Sequence, residues 1–228
     1  MGLYLQPGNL ILELNSGTAE DAIYFAQQGH TVHATDISEG MQKVAVTKIA
    51  KYKLETKITY EQCSFTNLQS LQFNGPYDYI FSNFAGLNCT DQLDKVFLTF
   101  NALLKPGGYV TLVIMPGFCL WETLLVFKGK LRTATRRFMG KQKAHIEGKY
   151  FNCSYYSPST VAKYMGEAFE QINLEGLCTF VPPSYMENFS ERHAGLFAWL
   201  RKKENKYKSR WPWRAIGDYY IITFRKKG

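Results

Sequence analysis

Asn9-Leu10-Ile11-Leu12-Glu13-Leu14-Asn15-Ser16-Gly17-Thr18-Ala19-Glu20-Asp21-Ala22 is the stretch whose reading decides the fold. Leu10 to Leu14 is a short apolar run broken by one acid, Glu13. A tight loop of small residues follows, and then an acidic helix start at Ala19-Glu20-Asp21. This reads as a buried strand, a turn and a helix, with Thr18 as the helix cap and Asp21 near its positive end. A glycine in such a turn lets backbone approach a ligand with no side chain in between. In an open parallel sheet, ligands bind in the crevice beyond the carboxyl ends of the strands.

Working outward, Gly29 ends that helix, and His30 to Thr35 reads as a second strand with Asp36 just past it. Asp36 follows the first turn by about 20 residues, the spacing at which a carboxylate meets ribose hydroxyls in dinucleotide folds. A carboxylate suits that task because it only accepts hydrogen bonds. Ser38 reads as the cap of the next helix, which carries Met41, Val44, Ala45, Lys48 and Ile49 on one side. Further strands are expected over Lys57–Gln62, Tyr77–Ser82 and Tyr109–Met115, with a helix over Asp91–Leu104 and a break at Lys105-Pro106-Gly107-Gly108. Alternating strands and helices imply a doubly wound, mostly parallel sheet.

Four stations now stand in order: Leu12-Glu13-Leu14-Asn15-Ser16-Gly17-Thr18, Ala34-Thr35-Asp36-Ile37-Ser38, Tyr77-Asp78-Tyr79-Ile80-Phe81-Ser82-Asn83 and Leu103-Leu104-Lys105-Pro106-Gly107-Gly108. Together they resemble class I S-adenosylmethionine-dependent methyltransferases, and among these the small-molecule, ubiquinone/menaquinone-methyltransferase-like group. The resemblance covers most of residues 9–115. It implies a Rossmann-like α/β fold with a seven-stranded sheet, an antiparallel last strand and a helical insertion after the fifth strand. It also implies S-adenosyl-L-methionine as cofactor and S-adenosyl-L-homocysteine as product.

Residue by residue, it places Glu13, Leu14, Asn15, Ser16 and Gly17 around the amino-acid part of the cofactor, Glu13 reaching its ammonium through water. Asp36 would take the ribose hydroxyls, and Ile37 and Met41 would pack on adenine. Ser64 and Phe65 would meet the adenine edge, and Asn83 would offer backbone near the methionine moiety. Two departures stand out. The family's first motif usually holds three glycines, and here Asn15 and Ala19 replace the outer two. Ser64 stands where the family often has an acid. The family also usually has one or two helices before the first strand, which here begins about ten residues in. The chain is then either truncated or uses its insertion as a lid.

The expected organisation is one domain: a cofactor-binding core (9–115), a helical insertion serving as substrate lid (116–156), and C-terminal helices and strands that complete the sheet (157–228). The insertion carries Lys128, Lys130, Arg132, Arg136, Arg137, Lys141 and Lys143 with no acid among them, followed by His145, Tyr150, Phe151, Tyr155 and Tyr156. Its functional reading is an aromatic pocket rimmed by bases, with peripheral membrane contact through the basic run. The alternative is a solvated basic helix with an aromatic underside. Ser157-Pro158 opens a further helix, Gln171–Phe180 reads as a strand, and Ser184 with Glu187 forms a capping-box pattern. The helix after it ends in six bases against Glu204, read as complementing the helix dipole.

A net charge of +8 and 15% aromatic residues point to an anionic partner or an apolar pocket. Five scattered cysteines without a C-x-x-C argue against a disulfide framework or zinc cluster, and for a reducing, cytoplasmic setting. There is no signal-peptide pattern. The favoured function is methyl transfer to a small apolar or aromatic acceptor at oxygen. Phe84-Ala85-Gly86 after Asn83 argues against methylation of nucleobases or amides. A nucleic-acid methyltransferase and a non-catalytic cofactor-binding protein stay open. His145, His193 and Glu122 are candidate bases by residue type only, and no catalytic residue is assigned.

Overall fold

β1 (Leu10–Leu14) lies at the heart of the sheet, flanked in parallel by β2 (Thr31–Asp36) and β4 (Tyr77–Ser82). The computed structural model describes residues 4–124, 137, 141–146, 149–183, 186 and 188–228. β3 (Ile58–Gln62) pairs outside β2, and β5 (Leu104–Ile114) pairs with β4, all parallel. On the other side of β5 comes β9 (Tyr219–Lys226), antiparallel to it, and then β8 (Phe169–Leu177). The order is therefore β3-β2-β1-β4-β5-β9-β8, and the last strand of the chain is interior. The seven-stranded, mostly parallel sheet with an antiparallel last strand is the architecture expected from the sequence.

Central strands alternate side chains between two apolar layers. α1 (Glu20–Gln27) and α2 (Glu39–Lys51) cover one face, where Ile11, Val32, Ala34, Tyr79 and Phe81 meet Ala22, Ile23, Phe25, Ala45 and Ile49. α3 (Leu93–Leu103) and α5 (Pro158–Met165) cover the other, over Leu12, Leu14, Ile80, Val110 and Leu112. Ser38 caps α2 through the Met41 N–H, and Ser157 caps α5 through the Thr160 N–H, both as read from the sequence. α1 differs. Its N-cap is Ala19 in a left-handed conformation with no side-chain cap, while the Thr18 hydroxyl accepts a bond from Lys48 Nζ at 2.9 Å. Lys105 to Gly108 belong to β5 instead of breaking the chain, and a register irregularity against β4 absorbs them.

The expected helical insertion is only partly helical. It opens on the short α4 (Leu120–Leu124), and its far part is an antiparallel hairpin of β6 (Lys141–Ile146) and β7 (Lys149–Ser154). Most of the basic run lies outside the described residues, as do Ser184 and Glu187 of the capping-box pattern. The segment between β8 and β9 holds the short α6 (Phe189–Arg192) and α7 (Ala194–Tyr207). Among the described residues, no helix is long and apolar enough to cross a membrane.

Candidate cofactor site

The loop after β1 is held in shape by the end of β2. Ser16 donates both its backbone N–H (3.0 Å) and its hydroxyl (3.2 Å) to the Thr35 carbonyl. The Thr35 hydroxyl in turn donates to the Glu13 carbonyl at 2.9 Å. Gly17 N–H donates to Asp36 Oδ2 at 3.0 Å, and Ser38 N–H donates to Asp36 Oδ1 at 2.8 Å. Each Asp36 oxygen thus accepts one backbone bond and keeps capacity for a second. Tyr60, on β3, closes the ring by donating its hydroxyl to the Gly17 carbonyl at 2.8 Å. Burial, with the charges of Asp36 and Glu13 adding to it, pushes the Tyr60 phenol up to about 12, so it stays a donor.

Both positions that lack the family's glycine take a backbone conformation that glycine adopts freely. Asn15, Gly17 and Ala19 all take positive φ, at 56°, 52° and 65°. Asn is among the side chains that enter this region more readily, whereas Ala19 carries a strain of about 1 kcal/mol. The Asn15 side chain lies across the tips of β1 and β4. Its amide donates to Ser82 Oγ at 3.0 Å, and it fills the space beside Gly86, where an added Cβ would come within 2.5 Å of it.

Glu13 is 2% exposed, and its Oε2 has no hydrogen-bond partner among the described residues. Burial, and then the neighbouring charges of Asp21 and Asp36, holds its carboxyl well above the usual range. An orphaned acid of this kind near the carboxyl end of β1 fits a cationic group such as an ammonium. Asp21 is tied by Asn83, whose amide donates to it at 2.8 Å, while Asn83 Oδ1 accepts the Phe84 N–H. The start of α1 and the loop after β4 are therefore joined across the crevice.

Of the residues expected at a cofactor site, Glu13, Asn15, Ser16, Gly17, Asp36 and Asn83 converge at the carboxyl ends of β1, β2 and β4. Leu14 is fully buried in the core under the loop. Ile37 is 66% exposed beside Asp36, and Met41 is half-buried one turn on, so apolar surface stands open there. Ser64 caps a 3-10 turn (Phe65–Ser70) through the Thr66 N–H, and Phe65 packs partly into the core. Both follow β3, whose Gln62 pairs with Asp36. Sequence reasoning missed Tyr60, because nothing local marks a tyrosine 43 residues away as the partner of Gly17.

Beyond β5 the crevice is bounded by a buried ion cluster. Arg137 donates to Glu122 Oε1 at 2.6 Å, to the Asp218 carboxylate and to the Asp218 carbonyl at 2.8 Å. Arg137 is therefore no rim base, and Glu122 is an ion-pair partner. His193 is exposed, with its ring tilted against Phe189, and the His145 side chain lies outside the described residues. Asn88, wholly buried, ties this end together by accepting the Met115 N–H and donating to the Ser154 carbonyl at 2.6 Å.

Residues 11–108 match the family model for a methyltransferase domain. An uncharacterised methyltransferase of Synechocystis is 28% identical over 140 residues, 58% of this chain and 61% of that protein. The ubiquinone/menaquinone biosynthesis C-methyltransferase UbiE of Shewanella oneidensis is 32% identical over 108 residues, 45% of this chain and 41% of UbiE. The match thus spans about half the length of these curated relatives. Among solved structures, an S-adenosylmethionine-dependent methyltransferase of Mesorhizobium loti superposes with a TM-score of 0.62 at 16% identity, covering 99% of this chain and 95% of that one. The ordered motifs, the strand order and the family match agree on a methyltransferase domain over residues 11–108, carried by a sheet with the fold of S-adenosylmethionine-dependent methyltransferases.

Proposed function

We propose that the protein transfers a methyl group from S-adenosylmethionine to the oxygen of a small apolar or aromatic acceptor. The observation that carries this reading is Glu13: a buried carboxyl group with an oxygen that has no partner among the described residues, beside the loop that Asp36 clasps. The cofactor, when bound, supplies an activated methyl on a sulfonium. The chain's own residues bind and orient. Glu13 answers the ammonium, and Asn15 and Gly17 present backbone to the amino-acid part. The spare lone pairs of Asp36 accept ribose hydroxyls. Ile37 and Met41 form an apolar shelf for adenine, with Ser64 and Phe65 at its edge and Asn83 near the methionine moiety. Since the donor is already activated, holding the acceptor in line does much of the work.

One observation favours a second reading of the acceptor atom: UbiE is by name a C-methyltransferase. A phenolate shares its charge between oxygen and ring carbon, so both outcomes call for the same acceptor class. The test has two parts. Calorimetry with S-adenosylmethionine and S-adenosylhomocysteine should show binding of both; absence of both overturns the enzyme reading. Incubation of labelled cofactor with phenols and hydroquinones should give a methylated product, and its mass fragmentation distinguishes ether from ring methyl.

A further inference from the structure

α7 is built unlike the helices that cover the sheet. β8 and β5 both run antiparallel to β9, so they point the same way. The chain between Leu177 and Tyr219 therefore lies at the end of the sheet where the carboxyl tips of β1, β2 and β4 form the crevice.

The only acid in α7 is Glu204, and it is also the only residue of that helix that is buried. Its carboxylate accepts the backbone N–H groups of Thr179 at 3.1 Å, Phe180 at 2.6 Å and Val181 at 3.2 Å. The helix thus turns its negative charge inward. Outward it shows Leu196, 49% exposed, and Trp199, 53% exposed. Lys203 Nζ stands 5.1 Å from the Trp199 ring centroid and 5.8 Å from that of Tyr207. Lys206 and Arg210 stand 5.4 and 5.7 Å from the Tyr207 ring. Three cations therefore gather around one aromatic ring, next to an exposed aliphatic and an exposed indole.

We propose that this face of α7 seats the protein on an anionic lipid surface. Trp and Leu suit the level of the headgroups and upper acyl chains, and Lys and Arg lay their stems along apolar surface while their heads reach lipid phosphates. The charge is complementary: the helix offers an anionic surface bases and no exposed acid. A nucleic acid fits the face less well. Leu196 offers a base nothing to stack on, and Lys203 already sits by the Trp199 ring. The inference does not depend on methyl transfer.

The test uses the full chain with vesicles of phosphatidylcholine alone and of phosphatidylcholine mixed with phosphatidylglycerol. Sedimentation should show retention only on the mixed vesicles, lost at high salt. Lys203→Gln and Lys206→Gln should each weaken partitioning about fivefold. Leu196→Ala with Trp199→Ala should weaken it at least about tenfold, with an unchanged melting temperature. No retention of the wild type, or equal retention of the variants, overturns the proposal. So does a dimer that Leu196→Ala with Trp199→Ala dissociates, or tRNA binding that these changes abolish while vesicle binding stays intact.

Discussion

The Gly17 N–H donates to the Asp36 carboxylate at 3.0 Å, so the loop after β1 and the end of β2 act as one unit. Asp36→Ala removes the acceptor for both Gly17 and Ser38. It should weaken cofactor binding by about tenfold to a hundredfold, as expected for lost bonds to a charged group. Calorimetry checks this, and wild-type affinity in the variant would remove Asp36 from the site.

Glu13 gives a pH-dependent prediction. Its folded-state carboxyl titrates well above its unfolded value because it is buried near Asp21 and Asp36. Between those two values the folded state binds the extra proton, so stability falls as pH rises through that window. Glu13→Gln should therefore be more stable than wild type at pH 8, with the gap closing near pH 4. The same variant should bind S-adenosylmethionine less well. Denaturant midpoints across pH, together with binding isotherms, test both parts.

Asn15 and Gly86 compete for one volume. An added Cβ on Gly86 would come within 2.5 Å of the Asn15 side chain. Gly86→Ala should cost about 1–3 kcal/mol, the usual scale of overpacking. In an Asn15→Gly background the same change should cost far less. A double-mutant cycle by urea denaturation measures the coupling, and additive effects would show that the two residues do not meet.

Arg137 neutralises two buried carboxylates, Glu122 and Asp218. Arg137→Met removes this cation from beside both and should destabilise the fold by about 3–5 kcal/mol. That lowers the melting temperature by on the order of 10 °C. The deficit should shrink from pH 8 to pH 5, because the two buried acids can then take up protons. A variant that melts like wild type at both pH values would contradict the ion cluster.

The sequence made local features readable and long-range ones opaque. β1 and β4 fall where the apolar runs place them, and the caps are read from Ser38 ahead of a helical apolar side and from the Ser157-Pro158 pair. Asp36 was placed by its distance from the first turn. Ala19 misled, because an alanine gives no hint of a left-handed backbone, and Thr18 looked like the better cap. The insertion reads as helical, yet Lys141–Ile146 and Lys149–Ser154 pair as a hairpin, a pairing no helical periodicity marks. Tyr60 on Gly17 and Arg137 on Asp218 join residues 43 and 81 positions apart, beyond any periodic pattern.

The place of β9 bears on how the molecule is made. Tyr219–Lys226 is wedged between β5 and β8, with the Thr111 and Thr223 hydroxyls 2.9 Å apart at its buried centre. β9 follows both of its neighbours in the sequence, so a nascent chain exposes the open flank of β5 and cannot dock β8 until β9 has emerged. A stop ahead of Tyr219 would therefore leave a sheet split in two rather than one trimmed at its border.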